Sequence, residues 1–69
     1  MAIYRTFEVY EGFGPRDVGP KRFGSEARGD ADAVLELLSG QGTDVQLFGI
    51  KGEGGDRVLL RILVGRKAA

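Results

Sequence analysis

Only one stretch of this chain spaces its apolar residues as a helix does, and it is short. Ala31, Val34, Leu35 and Leu38 fall at i, i+3, i+4 and i+7, which puts them on one helical face. A helix of about ten residues hardly forms alone in water, so it has to dock on something the chain itself supplies. Elsewhere the apolar residues alternate, so that something is a sheet. With 69 residues there is material for one domain, and a chain this small buries only about 60% of its unfolded surface. It has no cysteine, so no disulfide reinforces the core.

The alternation marks the strands. In residues 2–11, Ile3, Phe7 and Val9 take one side while Tyr4, Thr6, Glu8 and Tyr10 take the other. Gly12, Gly14, Pro15, Gly19 and Pro20 then punctuate a connection of about nine residues, long for a simple hairpin. Residues 21–27 form a weak second strand, suited to an edge by Gly24 and by their charges. Asp30 is the expected helix N-cap and Gly40 the expected left-handed terminator. Residues 43–50 and 57–65 are two further strands, joined by a glycine-rich loop at 51–56.

The pattern predicts an α+β domain, β-β-α-β-β, with a mostly antiparallel four-stranded sheet and the helix on one face. Val58, Leu60, Ile62 and Val64 form an unbroken apolar face, which argues for a central last strand and the spatial order 2-1-4-3. The alternative is a three-stranded β-α-β-β sheet with residues 21–27 irregular.

The inventory narrows the function. Without histidine or cysteine the chain has no Ser-His or Cys-His nucleophile pair and no metal site that uses either ligand. A non-enzymatic protein without a cofactor is therefore expected. The glycine-rich segments lack the Gly-Lys-Ser/Thr ending of a phosphate loop and do not open the helix. Arg28-Gly29-Asp30 spells an adhesion tripeptide, but glycine and a capping aspartate belong before a helix for local reasons. Apolar runs such as Ile62–Val64 are far too short for a membrane span or a signal core. The cytoplasm is the expected location, and no membrane partner is expected.

Ten basic and ten acidic residues cancel, but not evenly along the chain. Asp30, Asp32, Glu36 and Asp44 form an acidic run with no base between them, while Arg57, Arg61, Arg66 and Lys67 form a basic run with no acid. Such runs ordinarily solvate an exposed face; here the acidic one is also a candidate surface for a basic protein partner.

A sheet with one helix on one side leaves its other side open, and that side should be polar. Here Tyr4, Tyr10, Leu59 and Leu63 fall opposite the expected core, interleaved with Arg57 and Arg61. The third strand adds either Phe48 and Ile50 or Val45 and Leu47. Apolar patches of this kind mark association surfaces, and tyrosine and arginine are enriched in binding hot spots. Three readings follow: the long first loop with Phe13 and Val18 covers the face, a second copy covers it as a homodimer, or a different partner does. Aromatics beside arginines also raise the alternative of a nucleic-acid platform. Zero net charge and the six-residue separation of Tyr4 and Tyr10 weigh against it.

A single hairpin-helix-hairpin domain without catalytic residues resembles the tiny inhibitor proteins of bacteriophages and mobile elements, anti-CRISPR proteins among them. The resemblance spans the whole chain and rests on size and element order. It implies a protein that acts by covering a functional surface of a host complex, and it transfers no site residue.

Overall fold

The alternating segments give four strands and the one helical repeat gives one helix. In chain order these are β1 (Thr6–Gly12), β2 (Val18–Ser25), α1 (Arg28–Gly40), β3 (Val45–Lys51) and β4 (Asp56–Leu63). The computed structural model describes residues 3–52 and 55–66. The strands make one antiparallel sheet in the order β2-β1-β3-β4. β2 and β3 flank β1 and run the same way, so the chain must travel back along the sheet between them. The thirteen residues of α1 make that return, spanning about 20 Å, close to the length of a strand.

This order corrects the expected 2-1-4-3. β3, not β4, lies beside β1. Residues Val45–Gly49 are buried in succession, on both faces of the sheet, whereas Val58–Leu63 are all half-buried. Apolarity on both faces is the mark of a central strand; apolarity on one face suits an edge covered on one side. Residues 18–25 are a full strand, which removes the three-stranded alternative. β2 begins three residues earlier than expected, leaving a loop of residues 13–17. Gly19 and Pro20 fit within it because an edge strand has no outer partner for the missing proline N–H.

One local irregularity rearranges the last strand. Leu47 pairs with Arg61 but Phe48 pairs with Leu59, so Leu60 is an extra residue. A one-residue bulge turns the side chains beyond it to the opposite face. The expected apolar face therefore breaks. Val58 and Leu60 stay on the helix side, Ile62 moves to the open side opposite Gln46, and Leu63 joins the core.

The core lies between α1 and the sheet. Val9, Ala31, Leu35, Leu38, Val45 and Leu47 form it, with Phe7 and Phe23 packed against its margin. The helix extends beyond expectation by three residues at its start and two at its end. Ala27, not Asp30, is the N-cap, and it makes no side-chain cap hydrogen bond. Asp30 lies in the first turn, where its charge still complements the helix dipole. At the other end Gly42 has φ +96°. Thr43 N donates to Leu38 O and Gly42 N donates to Ser39 O, each at 3.1 Å. That double closure is a Schellman motif, with Gly40 still helical.

The chain after β4 returns to this helix end. Ser39 Oγ donates to Val64 O at 2.8 Å, Arg66 N donates to Ser39 O at 2.7 Å, and Gly65 N donates to Asp44 Oδ1 at 2.7 Å. Before β1, Ile3 stays 73% exposed, outside the core expected for it. Tyr4 turns to the helix side. Its ring meets Phe7 edge-on, 5.9 Å between centroids, and covers Gly49 so closely that an added Cβ would lie 2.6 Å from Tyr4 Cδ1.

Candidate functional site

The sheet face away from α1 is built in rows by the strand register. Tyr10, Gln46 and Ile62 lie side by side; then Glu8, Phe48 and Leu59; then Thr6, Ile50 and Arg57. Phe48 and Ile50, rather than Val45 and Leu47, are thus the contribution of β3. At the centre, Tyr10 meets Phe48 edge-on, with centroids 5.7 Å apart and planes at 80°. The Arg57 guanidinium carbon lies 4.9 Å from the Phe48 centroid and 5.5 Å from that of Tyr10. Both distances are within cation–π range. Roofed in this way, Phe48 keeps only 2% exposure although no helix covers it.

A polar chain continues from this stack towards β2. Tyr10 Oη donates to Glu8 Oε1 at 2.7 Å, and Lys21 Nζ reaches Glu8 Oε2 at 3.3 Å. The hydrogen bond to Glu8 raises the Tyr10 pKa above its ordinary 10.0; burial and the Glu8 charge add to that, and Arg57 opposes it. Beside Glu8 and Lys21 a shallow pocket of about 290 Å³ is lined also by Thr6, Gly24, Ser25 and Glu26.

The loop between β1 and β2 closes the far end of the face. Gln46, fully buried, accepts from Gly14 N and donates to Asp17 O, both at 3.0 Å. The loop thus folds back as one reading expected, but with its backbone. Phe13 remains 51% exposed and Val18 is half-buried.

Of the six residues assigned to this face from sequence, Tyr10, Arg57 and Leu59 are on it. Tyr4, Arg61 and Leu63 are not. The bend before β1 carries Tyr4 to the helix side, and the bulge at Leu60 carries Arg61 and Leu63 there. The acidic residues are also dispersed. Arg61 Nη1 bonds Asp32 Oδ1 at 3.0 Å and lies 3.9 Å from Glu36 Oε2, while Arg28 Nε approaches Asp32 Oδ2 at 3.5 Å. Asp44 is engaged by Gly65 N. Asp30 and Glu36 remain exposed on α1. On the helix side Asp32 and Glu36 therefore meet one member of the basic run, Arg61; Arg57 is on the open face, and Lys67 lies outside the described residues. Phe48 was one of two alternatives for the third strand, and Glu8, Gln46 and Ile62 were not singled out as site residues, because their roles depend on which strands pair and where the bulge falls. No protein-family model, curated protein or solved structure matches the chain, so what this face can do is read from its own geometry.

Proposed function

We propose that the protein is a non-enzymatic binding module that occludes a functional surface of a protein partner with its uncovered sheet face. An inhibitor of a host complex is the form of that role its layout resembles. The observation that carries the reading is the arginine-aromatic stack of Arg57 on Tyr10 and Phe48 at the middle of that face. Leu59, Ile50 and Ile62 surround it, all half-buried. A held arginine among aromatic and aliphatic side chains has the composition of an interface hot spot, and little side-chain entropy remains to be lost on docking. The partner is read as a foreign protein rather than a second copy, because Arg57 would meet its own like across a two-fold axis.

The same contacts weigh against the nucleic-acid alternative. Stacking needs an accessible ring face, and Phe48 is buried beneath Arg57. The test is affinity capture from cells that produce the protein, using tagged wild type, Arg57→Ala and Leu59→Glu. The expected result is a protein retained by wild type and lost with both variants. Equal retention by all three would remove the sheet face from the reading. Titration with single-stranded RNA and DNA at two salt concentrations runs in parallel; salt-sensitive binding there would favour the alternative.

A further inference from the structure

Phe13 is the one aromatic among the large apolar side chains exposed on the described residues, the others being Ile3, Leu37 and Val64. It stands in a five-residue loop whose backbone is hydrogen-bonded at Phe13, Gly14 and Asp17 and anchored at Gly12, the end of β1. Gly12 N donates to Asp44 O at 2.9 Å, Phe13 N donates to Asp17 Oδ2 at 3.1 Å, and Asp17 N donates to Gly14 O at 3.1 Å. Gln46 holds Gly14 N and Asp17 O from beneath. Gly12 and Gly14 adopt φ of +116° and +111°, a backbone other residues rarely take, and a Cβ at Gly12 would collide with Asp17 O. The fold commits a fully buried glutamine to a loop that contributes no side chain to the core.

We infer that residues 13–17 are a preformed recognition loop whose Phe13 inserts into an apolar pocket of a protein partner. The pocket carries a carboxylate at its rim for Arg16. Arg16 is exposed and takes part in none of the ion pairs among the described residues. Pro15 stiffens the segment between the two. An aromatic anchor presented on an ordered loop binds without the cost of ordering it, the usual basis of strong, specific contacts. Gln46 and Asp17 act as positioning residues, holding the backbone that aims Phe13.

This inference rests on the protein-binding reading but not on the sheet face being the only contact. Two measurements test it. The first is backbone amide relaxation on the free protein. Order parameters at residues 13, 14, 16 and 17 should match those of the strands, about 0.85, and values below about 0.6 would overturn the inference whatever the protein binds. Asp17→Ala should loosen Phe13, and Asp17→Asn should restore it. The second uses the protein retained by wild type in the capture above, purified and titrated against wild type, Phe13→Ala and Asp17→Ala. Phe13→Ala should weaken affinity on the order of thirtyfold with an unchanged thermal midpoint, and Asp17→Ala should weaken it less. Unchanged affinity for Phe13→Ala overturns the loop while leaving the binding-module reading intact. Retention of nothing by wild type removes that reading and this inference with it.

Discussion

Tyr10 sits between a carboxylate and a guanidinium, and the two pull its proton in opposite directions. Glu8 prevails: its hydrogen bond at 2.7 Å is offered only by the neutral phenol, so the folded chain holds that proton more tightly than the unfolded one. The sign of the linkage follows. A raised pKa means that the native state binds more protons than the unfolded state just above pH 10. The contribution of Tyr10 to stability is therefore complete below pH 10 and is lost as pH rises through the raised value. Tyrosinate absorbance should show a component titrating above 10, and Glu8→Gln should bring that component down. An unchanged midpoint in Glu8→Gln would mean that Glu8 is not the cause. The same pair explains how Arg57 can lie on the Tyr10 ring without deprotonating it.

At the scale of elements, the two glycines at the end of α1 separate what local pattern determines from what tertiary structure determines. The terminator expected from the sequence was Gly40. Only Gly42 has a positive φ, and it alone closes the Schellman turn; Gly40 is helical with open space where a Cβ would stand. Gly42→Ala should cost about 1 kcal/mol or more, through the strain of a left-handed alanine. Gly40→Ala should gain up to about 0.5 kcal/mol, since alanine is the better helix former. Urea melts of the two variants should move in opposite directions; movement in the same direction would contradict the assignment of the turn. The helix body was legible because Ala31, Leu35 and Leu38 keep a 3.6-residue period that no tertiary contact has to supply. The strands were legible for the same reason, with period two. Their order was not, because pairing is non-local, and the one informative sign was that β3 is apolar on both faces. The bulge at Leu60 left no local signature at all. Its consequence was large: of the four β4 residues assigned to the open face, Arg57 and Leu59 before the bulge kept their places while Arg61 and Leu63 beyond it went to the helix side.

At the scale of the molecule, those displacements change the argument about self-association. A sheet face bearing Tyr4, Tyr10, Leu59 and Leu63 together would expose more apolar area than a chain of 69 residues could leave uncovered. Tyr4 and Leu63 instead pack on the helix side, and Phe48 is roofed by Arg57, so the remaining patch is smaller and carries a positive charge at its middle. Pairing two such faces about a two-fold axis would bring the Arg57 side chains together in a drying interface. The sheet edges offer little more. β2 carries Pro20, Lys21 and Arg22, and β4 carries a bulge with Arg57 and Arg61 beside it; proline, charge and bulges are the features that keep edges from pairing. The protein should therefore sediment as a single 7.4 kDa species at micromolar concentration. Arg57→Leu, which removes the charge and enlarges the apolar patch, should be the variant that associates. A wild-type species of twice the monomer mass would overturn this, and its loss in Leu59→Glu would locate the interface on the sheet face after all.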